Sequence, residues 1–286
     1  MKLVNDIDEN LNNSTILKYA DDIKLYQEIT HTNSQQCQAN LQEDINAVVK
    51  WINDWGLTLA AGKCRVVHFG PRNPKHSYSV SSSSPLQESS GERDLGILIS
   101  NDLNWRGHIS KVVRKAEGVL ASLSRSFVSR SPAIFLQLYK AFVRPHLEYA
   151  SSVWSPYLIR DIERLERVQR RVTRKVSTVR HCSYSERLKR LQLSSLKSRR
   201  VTADLLQMFK MACKLSSCEF DHFFTRSEPR TRGHALKVKS QFSAHDFRKH
   251  FFSVRTINAW NCLPPHSIKC TNVKAFKIAI SRYCFN

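Results

Sequence analysis

From Trp105 onward, apolar residues return at helical spacing in one stretch after another, which confines the later part of this chain to packed helices. Ile109, Val112, Ala116, Val119, Leu123 and Phe127 recur at steps of three and four, a single stripe facing a core. Ser131-Pro132 reads as a helix start, with serine at the cap and proline in the first turn, and Phe135, Leu138, Phe142 and Val143 continue from it. Leu158, Ile162, Leu165, Val172 and Val176 make the next stripe, and residues 196–215 another. Beyond about residue 226 the pattern weakens into a basic tail dotted with aromatics, with a last short helix expected near 273–282. No internal repeat is visible.

The first hundred residues follow a different rhythm. Residues 14–19 and 22–28 are short runs rich in Ile, Leu, Tyr and Thr, joined at Asp21-Asp22, and predict a β-hairpin or a sharply bent strand pair. Cys37, Leu41, Ile45, Val48, Ile52 and Trp55 then form a helical stripe, with Ser34 or Asn33 at its cap and Gly56 at its end. CRVVHFG and ERDLGILIS each predict a strand, and the Pro- and Ser-rich residues 71–91 between them a mobile loop. The fold class is therefore α+β: a small mixed unit over 1–104, a helical region over 105–225 and a basic extension over 226–286.

Charge narrows the partners. The chain of 286 residues carries 45 Lys and Arg against 24 Asp and Glu, but residues 1–60 have a net charge of −5 and the remainder +26. A cationic body behind an acidic front suits a polyanion, most simply nucleic acid. No run of 18 apolar residues and no lipid-binding amphipathic helix points to a membrane. Eight cysteines lie without a framework of close pairs, and MKLVNDIDEN lacks the apolar core of a signal peptide. They are read as reduced thiols of an intracellular protein of the nucleus or cytoplasm, not a secreted one. Cys213 and Cys218 are the closest pair, and no histidine follows them at finger-like spacing.

The adjacent carboxylates Asp21 and Asp22 stand out against this background. In a strand they would point to opposite faces, and on spacing alone they are most simply turn residues. The residues around them add more. Tyr19-Ala20-Asp21-Asp22 between two strands resembles the metal-binding hairpin of reverse transcriptases. WINDWGLTLAAGKCRVVHFG, ERDLGILISNDLNWRGHI, FVRPHLEYASSVWSP, IERLERVQRRVTRKV, YSERLKRLQLSSLKSRR and FSVRTINAWNCLPPHSIK follow in the order seen in one branch of that family. Together they resemble the reverse transcriptase of non-LTR (LINE-like, jockey-type) retrotransposons nearly end to end.

The resemblance implies part of a polymerase palm, with the next strand pair and the entry into the thumb in ERDLGILISNDLNWRGHI, then a helical thumb and a C-terminal extension. It implies templated DNA synthesis on RNA through two Mg²⁺ ions, which need several acidic ligands. Asp21 would be the principal metal ligand, Asp22 a secondary ligand or electrostatic support, and Lys63 the lysine that protonates or steadies departing pyrophosphate. Read alone, Lys63 is equally an exposed lysine after a glycine turn. The family places another catalytic aspartate on a strand well upstream of the hairpin, with a nucleotide-gripping helix between. Asp6 and Asp8 do not fit that place, lying in a polar run with no room for the helix. The expectation is half a metal site, weak or absent Mg²⁺ binding and negligible synthesis by this chain alone. The rival expectation is a non-catalytic, basic nucleic-acid-binding protein.

Arg160, Arg164, Arg167, Arg171 and Arg174 recur at steps of four, three, four and three, rotated about 200° from the apolar stripe of the same segment. This row is either a solvated face, partly answered by Glu163–Arg167 and Glu166–Arg170 pairs, or a phosphate-contacting one. The resemblance favours the second, as a thumb gripping a template–primer duplex of RNA and DNA. Phe251, Phe252, Ile257 and Trp260 are read as covering a helical core rather than stacking on bases. Nothing in the sequence points to a protein partner.

Overall fold

The computed structural model describes residues 6–30, 32–81, 84–227, 234–281 and 283. Two compact units divide the chain, residues 1–103 and 104–286.

The first unit opens with a 3₁₀ turn, Ile7–Asn10, and the hairpin of β1 (Thr15–Tyr19) and β2 (Asp22–Tyr26). Ile16, Ile23 and Leu25 turn inward from one hairpin face onto Ile7 and onto Val48, Trp51 and Ile52 of α1 (Ser34–Asp54). Asn33 occupies the helix cap, although its side chain turns back to accept from the amide of Thr30 (2.7 Å). Gly56 ends the helix at φ 65°, where a side chain would be strained. Cys37, Val48 and Ile52 are buried as expected, and the stripe departs from the expected one at its end. Trp55 is exposed and Trp51 takes its place inside, because the helix stops before Trp55 completes a further turn.

After Ala61–Lys63, another 3₁₀ turn, CRVVHFG supplies only the two-residue β3 (Arg65–Val66). Residues 71–91, expected as a mobile loop, instead hold β4 (Ser79–Ser81), β5 (Ser84–Pro85) and β6 (Gln87–Glu88). Strand β6 pairs in parallel with β3, and β4 pairs with β5. The Gln42 side chain of α1 acts as a substitute strand neighbour for Ser79, donating to its carbonyl (2.8 Å) and accepting from its amide (3.0 Å). Proline and serine mark turns in the sequence, but pairing this distant leaves no local signature. ERDLGILIS is a hairpin rather than one strand: β7 (Gly91–Asp94) and β8 (Ile97–Ser100) flank Leu95-Gly96, both at positive φ. That pair of left-handed residues matches the right-handed twist of two-residue hairpins.

The second unit begins with α2 (Arg106–Ser126) and α3 (Pro132–Leu138), the latter with Ser131 at the cap position and Pro132 in the first turn as expected, although the Ser131 side chain makes no capping bond. A π turn over Tyr139–Val143 leads into α4 (Arg144–Glu148). Pro145 has no N–H to offer, so the regular ladder widens just before it. The widened turn brings Tyr139, Val143 and Leu147 inside and leaves Phe142 exposed, contrary to the stripe expected there. Helices α5 (Ser151–Trp154), α6 (Ile159–Lys175), α7 (Tyr184–Arg190) and α8 (Leu196–Ala212) follow.

The tail adds α9 (Phe220–Phe223), α10 (Asp246–Lys249), α11 (Phe252–Arg255), α12 (Ile257–Asn261), α13 (Pro265–Ile268) and α14 (Val273–Ser281). The helix expected near 273–282 is α14; Arg282 lies outside the described residues. Residues of 226–286 share one core with α8: Trp260 is fully buried, and the rings of Phe209 and Phe276 stack at 4.1 Å. Phe252 and Ile257 join that core as expected, whereas Phe251 remains exposed.

Candidate functional site

The carboxylate pair sits at the tip of the β1–β2 hairpin. Tyr19 pairs with Asp22, so Ala20 and Asp21 form a two-residue turn. Ala20 adopts φ 55°, a left-handed conformation that costs an L residue about 1–2 kcal/mol. Asp21 projects from the turn, and Asp22 opens β2 on the same face as Tyr19 and Leu17, away from the core. Both carboxylates are exposed.

What aims this tip lies at the other end of the hairpin. Asp44, buried in the middle of α1, accepts from the amides of Asn12 (3.3 Å), Asn13 (3.2 Å) and Ser14 (2.6 Å) and from the Ser14 hydroxyl. Burial by itself raises its pKa, but the Ser14 hydroxyl and the three amides outweigh that and hold the carboxyl below its usual range. Lys24 of β2 pairs with Asp94 of β7, fastening the second hairpin beside the first. Asp8 is engaged by Lys18 at 2.7 Å.

The donor set does not fit a two-Mg²⁺ centre. Among the described residues, no group of three or more His, Cys, Asp or Glu side chains is placed to hold a metal ion. Two exposed carboxylates at a turn fall short of the several acidic ligands that a metal pair requires. Lys63 is exposed on its 3₁₀ turn, and no hydrogen bond or ion pair joins it to Asp21 or Asp22 among the described residues.

The arginine row lies on α6 and divides in two. At about 100° per residue, Arg164 and Arg171 lean to one side of Arg160, while Arg167 and Arg174 lean to the other. The first two are engaged: Arg164 with Asp161 (3.5 Å) and with the Ser110 hydroxyl of α2 (2.9 Å), Arg171 with Glu117 of α2. Arg167 and Arg174 are exposed and have no carboxylate partner among the described residues, and Arg160 stands 3.9 Å from Asp161 with most of its side chain in solvent. Arg160, Arg167 and Arg174 are seven residues apart, so they form an open cationic stripe with a spacing of about 10 Å.

The expected Glu163–Arg167 and Glu166–Arg170 pairs do not form. Glu163 instead reaches Arg170 (2.7 Å), nearly in line with it two turns along. Glu166 is buried, where it accepts from the Tyr184 hydroxyl and from the Leu196 amide (3.0 Å) that starts α8. Gln169 beside it accepts from Tyr139 (2.6 Å) and donates to Tyr184 and to the Ser194 carbonyl (both 3.0 Å). Burial, with Glu166 adding to it, drives the Tyr184 hydroxyl far up, so it stays a neutral donor. The buried face of α6 is thus wider than its apolar stripe. Leu165, Val168 and Val172 form one half; Glu166, Gln169 and Thr173 form the other.

Sequence reasoning missed Asp44, Glu166 and the Arg255–Asp204 pair. Arg255 donates to both oxygens of Asp204 (2.9 and 3.0 Å) and to the carbonyls of Ser152 (2.7 Å) and His250 (2.9 Å). The only available signal was an acid or arginine placed inside an apolar stripe.

Comparison with known proteins gives partial matches. The chain is 24% identical over 165 residues to the RNA-directed DNA polymerase from mobile element jockey of Drosophila funebris, covering 57% of this chain and 18% of that protein. It is 29% identical over 133 residues to an uncharacterized protein of Caenorhabditis elegans, covering 46% of this chain and 65% of that one. The chain therefore spans less than two thirds of each of these relatives. No family model matches, and no solved structure does. No helix among the described residues is long and apolar enough to cross a membrane. The chain is a distant, partial relative of a retrotransposon RNA-directed DNA polymerase.

Proposed function

We propose that this chain corresponds to a part of a non-LTR reverse transcriptase that includes the YADD hairpin, and that it holds a template–primer duplex without synthesising DNA by itself. The observation that carries the proposal is the open stripe of Arg160, Arg167 and Arg174 on a helix whose opposite face is packed. Arg167 and Arg174, without carboxylate partners among the described residues, and the largely solvent-exposed Arg160 are placed to neutralise phosphates, the sequence-independent part of nucleic-acid affinity. The partial similarity to the jockey polymerase supports the assignment of the nucleic acid as an RNA–DNA duplex.

In the intact enzyme, Mg²⁺ supplies charge neutralisation at the transferring phosphate. In this chain Asp21 and Asp22 would contribute to such a centre, presented by the turn that Asp44 helps to aim. Two carboxylates leave the reacting groups without the positioning on which phosphoryl transfer depends. A purified chain given a primed RNA template, deoxynucleotides and Mg²⁺ is expected to bind the duplex and extend no primer. Templated product that disappears with Asp21→Asn would overturn that expectation. The incomplete donor set favours one further reading, a nucleic-acid-binding protein whose hairpin retains no catalytic duty.

A further inference from the structure

We propose that residues 241–251, together with Tyr157, form a stacking platform for single-stranded nucleic acid. The segment presents aromatic rings to solvent where the rest of the tail buries them. Phe242 is 96% exposed, Phe247 49%, Phe251 41% and Tyr157 37%. Scattered exposed rings would carry little meaning, but Phe247 and Tyr157 are each held in a stack and Phe251 lies under a guanidinium. His245 lies flat against Phe247 at 5.4 Å with 8° between planes, and His250 against Tyr157 at 4.1 Å with 2°. The Arg248 guanidinium caps Phe251 at 5.3 Å.

The platform is anchored from beneath. Arg255 holds the His250 carbonyl while its guanidinium grips Asp204 of α8, so the His250 backbone is tied to a buried ion pair. Charge favours a polyanion: Arg248, Lys249 and nearby Lys239 are answered within the segment by Asp246 alone. Bases stack on such rings whatever their sequence, while flanking cations follow the backbone. Paired bases in a duplex cannot offer their faces, so this surface takes a different ligand from the arginine stripe of α6. A lipid surface would also accept aromatics and cations, but α10 spans four residues, too short to lay an apolar face along a membrane.

The test uses the full chain and two labelled probes, a single-stranded oligonucleotide of mixed sequence and an RNA–DNA duplex. Phe247→Ala with Phe251→Ala is expected to weaken single-strand binding about ten-fold or more and to leave duplex binding unchanged. Arg167→Ala with Arg174→Ala is expected to do the reverse. Phe247→Tyr with Phe251→Tyr, which keeps both rings, restores single-strand binding if stacking is the cause. Matching melting curves for the variants exclude a folding defect, since both phenylalanines are exposed. The proposal is overturned if the wild type does not bind the single strand, or if the alanine pair weakens both probes alike or neither. It is also overturned if that pair abolishes binding to anionic vesicles while leaving the oligonucleotide bound. Failure here leaves the duplex-grip reading standing, because that reading rests on the arginine pair.

Discussion

Asp44 decides more about the hairpin than the residues that make it recognisable. It lies among Leu41, Ile45 and Val48, and a sequence reading passes over it as a polar gap in a stripe. Its partners are backbone amides some thirty residues away, which carry no side-chain signature. Asp44→Ala leaves those part-buried donors without an acceptor and is expected to destabilise the first unit by about 2 kcal/mol, measured by urea unfolding. The carboxylates Asp21 and Asp22 were legible because their neighbours in sequence announce a turn between strands. His108 offers a second test at this scale. Burial, with a smaller contribution from Lys111, pushes its pKa down to about 4, and the edge of its ring meets Trp154 at 4.9 Å. Below pH 6.5 the unfolded chain takes up a proton that the folded chain refuses. Stability is therefore expected to fall as pH drops from about 6.5 towards 4, by up to about 3 kcal/mol. His108→Gln should flatten that slope in pH-dependent unfolding; an unchanged slope would assign the acid sensitivity elsewhere.

Helix α6 shows what periodicity captures and where it stops. Its apolar stripe and its arginine row were both legible, since each follows from spacing alone. The division of the row was not, because it depends on Ser110 and Glu117 of α2 standing beside Arg164 and Arg171. Nor was the polar half of the buried face. Glu166 reads as a surface partner for Arg170 four residues on, yet the packed arrangement places it at the first amide of α8. Glu166→Ala strands that amide and the Tyr184 hydroxyl and is expected to cost about 3 kcal/mol. Glu166→Gln, which keeps an acceptor, is expected to cost less; equal losses in thermal unfolding would show that the charge, not the acceptor, matters. The 71–91 segment failed differently. Its strands are two or three residues long, too short for an alternating pattern to register, and β6 pairs with β3 some twenty residues away.

For the molecule as a whole, the acidic front and cationic body correspond to two separate units. The division at 103 follows the point where strand rhythm gives way to helical rhythm. The tail was read as an extension whose Phe252, Ile257 and Trp260 cover a helical core, and these residues, joined by Phe276 and Ile280, complete the core begun by α8. Short helices with one or two inward aromatics do not build a stripe, so the aromatic content of the tail, and not its spacing, was what pointed to a core. The central claim, that the cationic unit grips a nucleic-acid duplex through one open stripe, is tested most directly by salt dependence. Affinity for an RNA–DNA duplex, plotted logarithmically against salt, is expected to fall steeply for the wild-type chain. Replacing Arg160, Arg167 and Arg174 together by alanine is expected to shallow that slope by about three, one per phosphate contact. A wild-type slope near zero, or a steep slope that the triple substitution leaves unchanged, would contradict the account.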